Sequence, residues 1–263
     1  MKQMVTKFLV VALVIIGVYA LYPSPADAGT LSDNFDGAAI NTQLWWVPPY
    51  HYDEHQRCLQ QGGVLKIQID GVSTGGSFGA GLGSCFDLKG DFAIVVDYNA
   101  INWPYSNGVG AGIQYMGTKS SVNGHMTRRS FGADDPPPIK ENYVTDFMDG
   151  NFLDHAQIAT SDSQGKMKLT RVGKVMTGYF WQNNTWVKVG SHDYSLTGLD
   201  DWLVIGLNAN SSTGYQMPDG TWVHPFAHKD VEMDFDNWRV TYDQIRYYSS
   251  GGPAPGILQL LLD

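Results

Sequence analysis

The sequence predicts an all-β, two-sheet antiparallel jelly-roll sandwich, and three observations predict it. Charge is scarce: 16% of the 263 residues are charged, against 43% apolar and 13% aromatic. That composition suits short half-buried strands and leaves little material for solvated helical faces. The chain also has 30 glycines, which supply tight turns. Finally, apolar residues recur with period two, and no stretch holds a 3.6-residue period for three turns.

Taken in chain order, residues 1–28 read as an export leader. Lys2 and Lys7 precede an apolar run from Phe8 to Tyr22, and Ala26-Asp27-Ala28 forms an A-x-A cleavage site. The run is shorter than the roughly 18–20 residues of a membrane span. No span is therefore expected after leader cleavage, and the expected location is secreted, periplasmic or cell-surface. One domain is expected over 29–248. Its strands are marked by alternation in Val64–Ile69, Phe92–Tyr98, Met167–Thr170, Val175–Trp181, Trp186–Val189, Trp202–Leu207 and Val231–Val240. Turn signals lie between them, among them Gly62-Gly63, Lys89-Gly90-Asp91 and Asn183-Asn184. Residues 117–165 read as a long loop insertion with at most a short helix near Asn151–Ile158. Residues 249–263 read as a flexible linker and a short apolar tail.

Lys plus Arg number 17 and Asp plus Glu 26, for a formal charge of −9. An acidic chain without a basic run is a poor partner for nucleic acid or an anionic membrane surface. An exported chain meets an oxidising compartment, so Cys58 and Cys85 are expected to form one disulfide, worth about 3 kcal/mol in the chain-entropy model. Two buried thiols are the other reading. His51 with His55, and His224 with His228, have four-residue spacing, but Pro48-Pro49 and Pro225 oppose the helix that would align them on a transition metal. No cofactor is expected, calcium apart.

Three aromatic loops attract attention. Sugar rings pack C–H groups on aromatic faces while their hydroxyls need amide or carboxylate partners. Tyr50, Tyr52 and Asp53 offer that mixture, as do Trp103 with Tyr105, and Trp222. These are the candidate ligand-binding residues.

Several segments resemble the concanavalin A-like lectin/glucanase superfamily. Asp33-Asn34-Phe35-Asp36-Gly37 followed by Leu44-Trp45-Trp46 is similar to its opening. Phe86-Asp87-Leu88-Lys89-Gly90-Asp91-Phe92 resembles its "F-x-L-x-G-D-F" strand pair. Lys168–Gly173 with Trp186–Gly190 resembles its paired hairpins, and Phe235-Asp236-Asn237-Trp238-Arg239-Val240 its closing strand. The resemblance implies a jelly roll whose concave face and rim loops meet glycans. It also implies pairing of the first and last strands, which would let Asp33, Asp36 and Asp236 converge on calcium. Glu232-Met233-Asp234-Phe235-Asp236 is similar to the E-x-D-x-E strand of family-16 glycosidases. On that analogy Glu232 is the nucleophile, Asp234 the helper and Asp236 the acid/base. As a closing strand, the same residues are structural. Lyases of this fold pair Tyr, His and Arg, for which His125, Arg128, Arg129 and Tyr143 are available. No G-x-S-x-G is present. The expected function is binding of an extracellular polysaccharide or glycoprotein glycan without altering it. A hydrolase or lyase is the first alternative, and a surface adhesion module the second.

Overall fold

The computed structural model describes residues 28–47, 56–71, 79–132, 140–150, 152–196, 199, 202–211, 215–216, 222–223 and 230–248. Leader and tail thus lie almost wholly outside the described residues. Sixteen strands occur in these segments: β1 (Gly29–Asp33), β2 (Trp45–Trp46), β3 (Gln56–Gln61), β4 (Val64–Ile69), β5 (Gly79–Asn102), β6 (Val109–Gly117), β7 (Asn123–Ser130), β8 (Glu141–Asp149), β9 (Phe152–Ala159), β10 (Gln164–Val172), β11 (Val175–Gln182), β12 (Thr185–Asp193), β13 (Leu203–Ser211), β14 (Tyr215–Gln216), β15 (Trp222–Val223) and β16 (Val231–Tyr247). The described residues contain one 3-10 turn, Tyr194–Leu196, and no α-helix.

The long strand β5 serves both layers. Its first part, Gly79–Leu88, pairs with β13, and the first layer continues β6-β7-β8-β9. Its second part, Phe92–Asn99, pairs with β10, leading to β11 and β12. On its other side β16 follows, flanked in turn by β4 and β1. Gly90 lies between the two parts with φ +79, and a Cβ there would meet the Asp243 Cβ at 2.8 Å. Only glycine suits both demands.

Alternation places Ile94, Val96, Ile113, Tyr115, Leu169, Leu203, Ile205, Leu207 and Phe235 between the layers, all buried. Across the interior Tyr143 of β8 stacks on Phe180 of β11 at 4.2 Å. Close approach of the layers needs Gly178, where a Cβ would come within 2.3 Å of the Thr145 side chain. At the closing end, Trp45 packs edge-on against Trp238 at 4.8 Å, and its Nε1 donates to Asp33 Oδ2 at 2.9 Å. First and last strands pair as expected, Asp33 opposite Trp238. The hairpins at Gly62-Gly63 and Asn183-Asn184 each have two positive φ values, as primed turns require.

Three expectations are corrected. Residues 117–165 are not a loop insertion; they contain β7, β8 and β9, which complete the first layer. The segment expected to hold a short helix is strand β9. Cys58 and Cys85 do not form a disulfide; both are buried thiols. Cys58 belongs to the sandwich core, whereas Cys85 lies outside that cluster, with its Sγ 3.7 Å from the Thr42 carbonyl.

Candidate functional site

The outer face of the first layer is polar, although most of it is buried. Met126 faces the interior, so alternation turns His125, Thr127 and Arg129 of β7 outward. Register sets them in rows. His125 lies opposite Asp146 of β8, itself opposite His155 of β9, and on its other side opposite Gln114 of β6. Thr127 lies opposite Gly112, which lies opposite Asn208 of β13 and then Gly81 of β5. Arg129 lies between Asn142 and Gly110, with Asn210 beyond. The glycines keep the middle of this face free of side chains. At Gly110 an added Cβ would stand 3.3 Å from Arg129 Nε, and at Gly112 only 2.2 Å from the Met126 carbonyl oxygen.

A charge cluster anchors one side of the face. Arg129 donates to Asp146 Oδ2 at 2.9 Å, and His125 Nε2 lies 2.9 Å from the same oxygen. Asp146 Oδ1 lies 2.5 Å from His155 Nδ1. Burial alone would raise the Asp146 pKa, but Arg129 and the histidines hold it far below the usual carboxylate range. Burial is also the largest influence on His125 and, against the pull of Asp146, lowers it, which favours the neutral imidazole. Toward the centre, Thr127 Oγ1, Arg129 Nε and Asn208 Oδ1 are buried and make no hydrogen bond among the described residues. Leaving such an atom unsatisfied costs about 1–3 kcal/mol.

The glycosidase-like strand lies elsewhere. Met233 and Phe235 enter the core, so Glu232, Asp234 and Asp236 face outward from the second layer. Lys66 Nζ donates to Glu232 at 3.0 Å and to Asp234 at 3.1 Å, and Gln68 donates to Glu232 at 2.8 Å. Burial opposes ionisation of Glu232, yet the bonds from Gln68 and Lys66 hold it below its ordinary value; burial raises Asp234. Asp236 accepts from the backbone N–H of Asn237 at 2.6 Å. Both Glu232 and Asp234 are therefore occupied by one lysine.

Of the aromatic-loop candidates, Tyr50, Tyr52 and Asp53 lie outside the described residues. Trp222 is on β15, opposite Gln216. Trp103 packs partly against the core, donates from Nε1 to Glu141 at 3.1 Å and has the Arg128 guanidinium 5.7 Å from its ring centroid. It is a packed ring rather than an open platform, while Tyr105 is 64% exposed. Among the described residues no three His, Cys, Asp or Glu are grouped to hold a metal ion, Asp33, Asp36 and Asp236 included. Asp33 is occupied by the N–H groups of Phe35 and Trp45.

The lyase-type set divides between two sides of the sheet. His125 and Arg129 face outward. Arg128 is buried against Glu141 at 2.8 Å, and the Tyr143 hydroxyl meets that of Tyr98 at 2.5 Å. The missed partners are Asp146 and Asn208, which only cross-strand register brings to His125 and Thr127.

No protein-family model matches the chain, and no curated protein matches it in sequence. Solved structures do match in fold. A non-specific endo-β-1,3(4)-glucanase of glycoside hydrolase family 16 is 13% identical, with a TM-score of 0.55, covering 85% of this chain and 96% of its own. A laminarinase from Flavobacterium sp. UMI-01 is 12% identical, with a TM-score of 0.52, covering 81% and 98%. A xylan β-1,4-xylosidase from Bacillus halodurans C-125 is 15% identical, with a TM-score of 0.52, covering 80% of this chain but 38% of that one. The fold is the concanavalin A-like jelly roll.

Proposed function

We propose that this chain binds extracellular polysaccharide on the outer face of its first layer, without cleaving it. The observation that carries this reading is the set of unsatisfied buried atoms, Thr127 Oγ1, Arg129 Nε and Asn208 Oδ1, on a face floored by glycine. Sugar hydroxyls both donate and accept, so one saccharide can satisfy a hydroxyl, a guanidinium N–H and an amide oxygen. The leader-like first 28 residues favour an exported protein. Neighbours of the same fold named for glucan, laminarin and xylan cleavage favour a glycan partner.

Cleavage at the same face is the second reading. It is favoured by the neutral His125 beside Asp146 and Arg129. A polysaccharide array with reducing ends measured in the same wells separates the two. The expected result is binding without release, weakened about tenfold in Asn208→Leu. Reducing ends released by wild type and lost in His125→Gln would move the assignment to an enzyme. Absence of any bound polysaccharide would remove both readings.

A further inference from the structure

The outer face of the second layer has a cleft of about 520 Å³. That volume lies within the range of small-molecule sites. Trp181 of β11 forms one side. Asp97 and Asn99 of β5 with Gln164 of β10 form the floor, and Asp234 and Asp236 of β16 the opposite side. Lys166 reaches both oxygens of Asp97 at 2.7 Å. A second cleft of about 500 Å³, bordered by Asp33, Asn34 and Arg239, shares Asp97, Lys166 and Asn237 with the first. The two clefts are neighbours along this face, and these three residues border both.

Trp181 is held in place. Its ring meets Trp186 edge-on at 5.0 Å, and Lys168 Nζ stands 4.3 Å from the centroids of both Tyr179 and Trp186. A preorganised indole beside amides and carboxylates is the mixture that a sugar ring needs: a face for its C–H groups and acceptors for its hydroxyls. Asp33, Asp97, Asp234 and Asp236 line the groove with Lys166 and Arg239, and Lys66 pairs with Asp234, so the aspartates exceed these cations by one. This field disfavours polyanions.

We propose that this groove is a second saccharide-binding site, with Trp181 as its stacking platform and a neutral oligosaccharide of several rings as its ligand. It lies on the opposite layer from the face assigned above and does not depend on that assignment.

The test is titration of the full chain with cellohexaose and with laminarihexaose. It is followed by calorimetry and by the indole N–H resonance of Trp181 in nitrogen–proton correlation spectra. At least one hexasaccharide is expected to shift that resonance, and Trp181→Ala and Gln164→Ala are each expected to weaken its binding about tenfold. The resonance reports this groove even if Trp181→Ala folds poorly, and it stands if the first-layer assignment fails. A Trp181 resonance unmoved by either hexasaccharide, or moved equally by hexagalacturonate, would overturn the proposal.

Discussion

Asp146 shows how one residue can hold a polar face together. Its two oxygens serve Arg129, His125 and His155, and both it and Arg129 are largely buried. Removing its charge leaves the guanidinium desolvated and uncompensated. Asp146→Asn is therefore expected to cost about 3–5 kcal/mol, read from urea denaturation. A loss within about 0.5 kcal/mol would mean that the cluster is solvated. The cysteines make a second prediction at this scale. Both are buried thiols, and burial raises the Cys85 pKa. Two thiols should titrate in denaturant, and Cys85 should react slowly in the folded protein. Finding none in denaturant would restore the disulfide.

At the scale of elements, legibility followed the contrast between neighbouring side chains. Val64–Ile69 alternates apolar with polar and was readable as a strand. Strand β7 was not, because only Met126 is a large apolar residue within Asn123–Ser130, and Arg128 is buried despite its charge. The strand is polar on both sides because Arg128 pairs with Glu141 on its inner side, while His125 and Arg129 meet Asp146 on its outer side. Cross-strand neighbours such as His125 and Asp146 are set by register, which no local pattern encodes. The same strands allow a paired test. In Gly112→Ala the new Cβ meets backbone on β7, at 2.2 Å from the Met126 oxygen, so about 1–3 kcal/mol should be lost. At Gly173, with φ +59 and no atom within 4 Å, asparagine should be tolerated within about 1 kcal/mol. Equal effects in thermal melts would contradict the close packing of β6 on β7.

For the whole molecule, different groups limit stability on the acid and the alkaline side. On the acid side, the folded His125 pKa is lowered, so between 6.5 and that value the unfolded chain binds more protons. Stability therefore falls as pH drops below about 6.5, and the decline ends at the folded value. Asp146 and Glu232, both lowered, contribute stability that is lost further down, below their ordinary 3.8 and 4.5. On the alkaline side, burial opposes Lys66, but its bonds to Glu232 and Asp234 raise it. Its contribution is complete below 10.5 and disappears as pH rises through the folded value. Urea midpoints should thus be highest between these limits and lower at about pH 5.5 than at about pH 8. His125→Gln should flatten the first part of the acid decline and reduce the Asp146 part. Lys66→Met should reduce the Glu232 part and the Lys66 share of the alkaline decline, leaving the share of the buried tyrosines, Tyr98 among them, whose burial raises them. A wild-type midpoint that rises on acidification to about pH 5.5, and no longer does so in His125→Gln, would show that His125 gains its proton on folding. The first-layer cluster would then carry an imidazolium, and the neutral imidazole behind the cleavage reading would be lost.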